Sequence, residues 1–505
     1  MKKLRKFPVS GLVTAALIAA VIFGGAVPVL AQTDSTTSGA RTRYQQGTNP
    51  STPPRVTFTT LVNFDGTNGT NGAVLTQGTD GNLYGSSGGG ANGSGLLFKM
   101  TPAGKLTPVY NFCSETGCAD GNGPGDPVLG TDGNLHGGTL YGGAFGSGTI
   151  FKITEKGSLT TLYNFDGEDG RQFKYLVQAS GGNFYGTTTN GGNVTQCDGF
   201  GCGTVFKITP NGTLTPIYDF CSQTGCPDGA ILFDSLVQGP NGEYYGATWG
   251  GDLANGGTVF TITPEGTLAT LYSFCVVNYP FCNDGSNPIA LVLGGDGNFY
   301  GATASGGLNS NAGTVFKITP GGAFTRIYSF CAQVGCTDGS TPRDGMILGS
   351  DGNFYGTTYY GGANGEGTVY QITPAGVLTT LHSFDGTDGN YPISLLFQAT
   401  NGTFYGTTNS GGSSGDGTIF SLSVGLGPCV ETAPISGKVG TKVIILGNKL
   451  KGTTNVTFNG TAATFKVVHG TEITTIVPGG ATTGPVRVTT PSGVLTSNVN
   501  FLVMP

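Results

Sequence analysis

The chain has 505 residues, only 10 % of them charged, and 92 are glycine. Its formal net charge is −6, from 23 Lys+Arg against 29 Asp+Glu, which excludes the basic surfaces that nucleic acids and anionic membranes require. Glycine at this level would mark disorder if it lacked period. Here it falls at fixed offsets among Val, Ile, Phe, Tyr and Thr, so it marks turns and bulges between strands.

Taken in chain order, the first element is a targeting segment. Lys2, Lys3, Arg5 and Lys6 form a basic head, Gly11 to Gly25 is apolar, and Val29-Leu30-Ala31 offers a small-residue cleavage site before Gln32. The apolar run is short for a spanning helix, which needs about 20 residues, so residues 1–31 read as a signal peptide and the product as extracytoplasmic, secreted or at the cell surface. No later run is apolar enough to span a membrane. Without that segment the balance is 19 Lys+Arg against 29 Asp+Glu, a charge of about −10. Residues 32–55, rich in Thr, Ser, Gly, Gln and Pro, read as a disordered linker.

Residues 56–425 repeat. A tripeptide F/L/Y-Y-G, once with His at its centre, places that central residue at Tyr84, His136, Tyr185, Tyr245, Tyr300, Tyr355 and Tyr405. Each unit holds four short strands, lettered here A to D. Strand A is an apolar run such as Ser235 to Gly239. Strand B is N-F-Y-G-A-T, as at Asn298 to Thr303. Strand C is G-T-V-F-K-I, as at Gly203 to Ile208, and strand D is L-T-P-I-Y-D-F at Leu214 to Phe220. D-G or N-G turns join A to B, and T-P-x-G turns join C to D. A period near 50 residues with four strands per unit predicts an all-β fold, a seven-bladed β-propeller. Thr57 to Phe64 reads as a strand D without a unit before it, and the seventh unit lacks a strand D. The first segment is therefore expected to complete the last blade and close the ring, removing both sheet edges.

The same order sorts the loops. A–B and C–D turns lie on one face and are short; B–C and D–A loops lie on the other and carry the length variation, which is where binding sites are built. The D–A loops hold the pairs Cys113/Cys118, Cys221/Cys226, Cys275/Cys282 and Cys331/Cys336, and a B–C loop holds Cys197/Cys202. In an exported chain these read as five local disulfides; a metal reading is weaker because each loop offers two thiols and no His. Cys429 is left over. Asp65, Asp166, Asp169, Asp385 and Asp388 stand in the remaining D–A loops, where they either make Asx turns or begin a calcium site. No other cofactor is expected.

Catalytic signals are thin. His136 and His382 occupy strand positions that other repeats fill with Tyr and read as packing residues; His469 is the third. The G-x-S-x-G matches at Gly85 to Gly89 and Gly411 to Gly415 lack the strand-to-helix context of a nucleophile elbow, and no pair of carboxylates stands out for glycoside hydrolysis. Aromatics give the one binding signal. Just after strand B stand Tyr141, Trp249, Tyr359 and Tyr360, where other units have small or polar residues. They are the candidate ligand contacts, with packing beneath neighbouring loops as the alternative.

From residue 426 to 505 the period stops. Short alternating strands with Gly and Asn turns read as a β-sandwich. The G-K-V-G-T opening at Gly437 to Thr441, V-T-F-N-G-T at Val456 to Thr461 and Ile476-Val477-Pro478 resemble the IPT/TIG family of immunoglobulin-like domains, which implies a spacer or adhesive role and no catalytic residues. The repeats, through D-G-N-F-Y-G-T-T at Asp351 to Thr358 and G-T-V-F-K-I-T-P at Gly313 to Pro320, resemble the GloVer-type tandem repeats of exported bacterial proteins; that resemblance implies an extracellular location and no set activity. The expected function is non-enzymatic binding or adhesion through the long-loop face, toward an extracellular polysaccharide or a cell-surface protein. The alternative is an extracellular carbohydrate-active enzyme on the same scaffold.

Overall fold

The structure is a computed structural model that describes residues 56–505 apart from 73, 180, 193–196, 234, 252–255 and 277–280. The signal-peptide and linker readings, 1–31 and 32–55, lie outside the described residues. The regular structure of the described residues is β throughout apart from three single turns of 3-10 helix at Thr116–Cys118, Cys197–Gly199 and Val334–Cys336. Among them no helix is long and apolar enough to cross a membrane.

Residues 57–423 form seven antiparallel sheets of A-B-C-D order in a propeller-like array, each with four strand positions. The sheet of Arg171–Gln178, Phe184–Asn190, Thr204–Ile208 and Leu214–Asp219 is representative. The last sheet takes its outer strand from the start of the chain: Thr57–Asn63 pairs antiparallel with Thr418–Ser423, Phe58 opposite Leu422 and Val62 opposite Ile419. Its Phe58 lies flat on His382, centroids 3.6 Å apart.

The repeated Tyr-Gly dipeptide has a steric cause. A Cβ on Gly85, Gly137, Gly186, Gly246, Gly301, Gly356 or Gly406 would fall 2.8 Å or less from the aromatic ring opposite, a Phe in six sheets and Tyr370 in one. Only glycine lets strand B lie against that ring. The tyrosine before it reaches back to the A–B turn: Tyr84, Tyr300 and Tyr355 donate to Asp80, Asp296 and Asp351 at 3.0, 2.9 and 2.9 Å. His136 takes the same position, 3.1 Å from Asp132, with its ring buried against Phe184. His382 likewise stands where strand D has Tyr and meets Asp388 at 2.7 Å. Both are packing residues.

At the far end of strand B a threonine pairs with the threonine that opens strand C. Thr139–Thr149, Thr188–Thr204, Thr248–Thr258, Thr303–Thr314, Thr358–Thr368 and Thr408–Thr418 join their hydroxyls at 2.8 to 3.0 Å. The first sheet lacks this device. Leu96 stands opposite Ser87, whose buried hydroxyl has no partner. That places the G-x-S-x-G serine inside a strand rather than on a nucleophile elbow.

The C-terminal part holds two further four-stranded sheets. Val443, Ile445 and Ile473 of one face Val456, Phe458 and Val488 of the other across a common apolar core. This pair of sheets docks on the A–B turns. Thr471 donates to Thr79 O at 2.7 Å, Lys442 to Thr131 O at 2.7 Å, Ser436 to Gln238 Oε1 at 2.6 Å and Asn448 to Thr400 Oγ1 at 2.9 Å. The B–C and D–A loops, at the other end of the strands, are left uncovered by it.

Candidate ligand-binding site

Each D–A loop of the seven sheets returns to the axis through one residue in the left-handed region. These are Asn71, Gly123, Gln172, Ile231, Asn287, Thr341 and Tyr391, with φ between 46° and 66°. For β-branched Ile231 and Thr341 that conformation is costly. One hydrogen bond offsets it every time. The N–H of each donates to a carbonyl in the B–C loop of the preceding sheet: Asp416, Ser94, Ser147, Cys202, Gly256, Ala312 and Glu366, at 2.7 to 3.3 Å. These seven bonds belt the loop face, and the first crosses the closure between the last sheet and the first.

The kink at each left-handed residue turns the next few residues toward the axis. Lys174, Tyr175, Phe233, Ile289, Arg343, Asp344 and Ile393 come from five different sheets this way and, with Trp249, line a pocket of 290 Å³. Asp126 is not among its lining residues but contacts one of them. Asp126 Oδ1 accepts from Val74 N–H at 2.9 Å, and the Tyr175 side chain also bonds this carboxylate. Asp126 retains part of its surface yet is packed round by protein, and this desolvation pushes its carboxyl up to about 6 against the opposing pull of those bonds and of Lys174.

The four aromatics of the sequence reading divide into two kinds, because successive residues of an extended segment face opposite ways. Trp249 and Tyr359 immediately follow the paired threonine, and both are half-buried. Trp249 N–H donates to Ile231 O at 2.8 Å and Tyr359 N–H to Thr341 O at 3.0 Å, which fixes each against the kinked loop. Trp249 meets Phe233 edge-on at 5.2 Å. Tyr359 stacks on Tyr391 at 4.9 Å and carries the Arg343 guanidinium at 5.2 Å. Tyr141 and Tyr360 come one residue later and are exposed, at 49 % and 44 %. Tyr360 packs edge-on against Tyr359 and Tyr391, while Tyr141 accepts from Gln172 Nε2 at 3.1 Å. Trp249 thus lines the axial pocket, and Arg343 of that pocket carries the ring of Tyr359. Tyr360 extends the cluster outward, and no contact links Tyr141 to it among the described residues.

The cysteines are joined as Cys113–Cys118, Cys197–Cys202, Cys221–Cys226, Cys275–Cys282 and Cys331–Cys336. The sulfurs of Cys197, Cys202 and Cys221 lie within 4.8 Å of one another, but all three are spent in disulfides and none is a thiolate ligand. Cys429 is a free, buried thiol, pushed up to about 12 by burial and by nearby Glu431.

The loop aspartates hold their own loops. Asp65 Oδ1 accepts from Thr67 N–H, Thr67 hydroxyl and Asn68 N–H at 2.7 to 3.0 Å. Asp385 does the same with Thr387 and Asp388. In the cysteine loops, Asp120, Asp228 and Asp338 each accept from a strand-D tyrosine and from loop N–H groups. Asp65 and Asp385 thus make Asx turns, while Asp120, Asp228 and Asp338 tie each cysteine loop back to its strand D; Asp228 Oδ1 is buried without a hydrogen-bond partner.

The axial residues do not stand out in the sequence, because strand A reads there only as an apolar run. Aligned on the Gly or Ala that ends it, the run changes residue type from unit to unit at the positions that line the pocket. That variation, set against near-constant strands B and C, was the available signal.

The Gloeobacter/Verrucomicrobia repeat matches the chain over residues 31–230, 119–281 and 235–466. No curated protein matches it. Among solved structures, a gluconolactonase from Xanthomonas campestris is similar at 13 % identity, over 74 % of this chain and 95 % of that one, with a TM-score of 0.37. A protein of unknown function from Bacteroides thetaiotaomicron is similar at 12 % identity, over 73 % and 76 %, with a TM-score of 0.41.

Proposed function

The chain belongs to the Gloeobacter/Verrucomicrobia repeat family, and from that premise we propose that it is an exported binding or adhesion protein whose ligand is a carbohydrate. In this reading residues 1–31 are removed on export and 32–55 are a tether. Residues 56–425 are a closed seven-bladed propeller, and 426–505 form an immunoglobulin-like module of the IPT/TIG kind. That module occupies the turn face, which leaves the long-loop face for the ligand. Five disulfides in that face suit an oxidising compartment.

The observation that carries the proposal is the aromatic surface at the axial mouth. Trp249 and Phe233 wall the pocket, and Tyr359, Tyr360 and Tyr391 continue it outward. Flat rings beside a pocket with a few polar groups suit the apolar faces of sugar rings, and the polar groups suit their hydroxyls. Trp249→Ala with Tyr359→Ala, measured against whatever glycan the wild type selects from an array, should weaken binding by about 2 kcal/mol or more. Unchanged affinity with an unchanged thermal melt sinks this site.

A second reading, a carbohydrate-active enzyme, is favoured by one observation. Asp126, with its carboxyl raised to about 6, is bonded to Tyr175 of the pocket wall, through which it could serve as a proton source. Release of reducing ends from a bound polysaccharide, lost in Asp126→Asn, would establish it in place of the binding role.

A further inference from the structure

The last paired residue of strand A is a glutamine in four sheets and a leucine in three. Counted in chain order, the first, third, fourth and seventh sheets have Gln77, Gln178, Gln238 and Gln398 there, and the second, fifth and sixth have Leu129, Leu293 and Leu348. Three of the glutamines latch onto the A–B turn of the preceding sheet. Thr400, Thr131 and Ser350 donate their backbone N–H groups to Oε1 of Gln77, Gln178 and Gln398 at 2.9 to 3.0 Å. Their hydroxyls accept from the same glutamines' Nε2 at 2.9 to 3.2 Å. The fourth glutamine, Gln238, accepts from Ser436 of the C-terminal sheets at 2.6 Å. Where Leu129 interrupts the pattern, the corresponding turn residue Thr79 is satisfied by Glu155, which accepts from its N–H and its hydroxyl at 2.7 and 2.9 Å.

The fifth and sixth sheets depart differently. The turn positions that would meet their glutamines are Pro240, which has no N–H, and Gly295, which has no hydroxyl. Both halves of the latch are therefore absent together at two adjacent junctions, and a cavity of 290 Å³ lies there. Leu293, Leu348, Pro240 and Gly295 all line it, and among the described residues none that lines it is ionisable or aromatic. Along the fifth sheet the lining runs from Ala290 to Gly294, roughly 13 Å at about 3.3 Å per residue, so the cavity is a slot along the strand. The C-terminal sheets wall one side with Ile435 and Leu502. Their bonds to Thr79, Thr131, Gln238 and Thr400 hold them over other turns, while Gly295 and Ser350 are exposed. The slot thus opens to solvent with half-buried Leu293 and Leu348 in its wall.

We propose that this slot takes the single aliphatic chain of a soluble amphiphile. The site is on the turn face, away from the long loops, and does not depend on the carbohydrate reading. A chain gains by displacing water from the aliphatic wall. A charged or strongly polar head finds no partner of its own kind inside, so it stays at the mouth, in water. A void left by loose packing has no reason to coincide with two matched pairs of departures. Here the glutamine and its receiving turn change together, and the result is a continuous apolar lining within the size range of small-molecule sites.

Calorimetry on the exported chain with the n-alkanols from butanol to decanol tests it. Each added methylene should tighten binding about fourfold until the chain outgrows the slot. Leu348→Gln with Gly295→Ser rebuilds the pair that Gln398 and Ser350 make one junction further on. It should weaken decanol by about tenfold or more without lowering the thermal melt. The wild-type series needs no variant: affinity that does not grow with chain length overturns the inference. Undiminished decanol binding by the folded double variant overturns it as well. Capture by phosphatidylcholine vesicles with no uptake of free alkanol overturns the soluble ligand in favour of a membrane surface. Each of these results leaves the loop-face reading untouched.

Discussion

Glu431 is the carboxylate most at odds with its surroundings. It lies in the short strand Glu431–Ala433, opposite Leu446, where the chain passes from the propeller-like array to the C-terminal sheets. The residue is only half-buried, but its Oε2 is shut off from solvent and has no hydrogen-bond partner. It lines a cavity of 150 Å³ together with Leu129, Leu446, Gln77 and Gln178. Burial pushes its carboxyl from 4.5 up to about 8. The folded state therefore binds this proton more tightly than the unfolded one, and stability is lost as pH rises. The contribution is whole below pH 4.5 and falls until about pH 8. At about 1.4 kcal/mol per pH unit, the loss between pH 5 and pH 8 is roughly 4 kcal/mol. Glu431→Gln removes the ionisation but leaves a buried amide, at a cost of about 1–3 kcal/mol. The net change at pH 7 is therefore a gain of roughly 1–2 kcal/mol, and the slope is the sharper diagnostic. Asp126 titrates in the same direction, toward about 6, in both proteins and cancels from the difference. Urea unfolding of both proteins at pH 5 and pH 8 measures it. The stability gap should widen by about 4 kcal/mol across that range; parallel profiles would refute the reasoning.

Deleting residues 32–64 should destabilise the whole array, because it removes a paired strand together with buried Phe64 and the Phe58 ring that covers His382. Deleting 32–55 alone should not, so equal melts for the two truncations would contradict ring closure. Gly301→Ala should cost about 1–3 kcal/mol, since the added Cβ would meet Phe316 Cζ at 2.5 Å and Leu291 Cδ2 at 3.0 Å. Gly297→Ala has nothing within 4 Å and only its φ of 78° against it, so it should cost about 1 kcal/mol. Denaturant midpoints in the reverse order would overturn the steric account. Thr341→Gly should raise stability by a few tenths to about 1 kcal/mol, because glycine takes φ 53° without strain and keeps the N–H that reaches Ala312. A loss would show that the side chain, not the bond, holds the loop.

The scaffold was legible because its constraints are local and recur. A Gly faces each ring of strand C, an Asp-Gly or Asn-Gly closes six of the seven A–B turns, and two threonines meet at the top of strands B and C in six of the seven sheets. Each need leaves the same letters at the same offset in unit after unit. The belt of left-handed residues left no such letters. Gln172, Ile231, Asn287, Thr341 and Tyr391 have no shared chemistry, since the hydrogen bond that holds each one is made by its N–H to a neighbouring sheet. A feature paid for by tertiary contact does not show in propensity.

The same distinction locates the site. Where every unit keeps a residue, the residue answers to packing. Where one unit departs, packing has been released, and the departures of strand A converge. Lys174, Tyr175, Phe233, Arg343 and Asp344 differ from their counterparts in the other sheets, yet seven-fold repetition brings them to one pocket on the axis. Tyr141 is a departure of another kind, exposed and with its hydroxyl bonded to Gln172, outside that convergence. Aromatic exposure alone therefore overstates the site, and convergence on the axis is the stricter criterion. By that criterion Trp249 belongs to the proposed site, and Tyr360 and Tyr141 lie at its margin or beyond it.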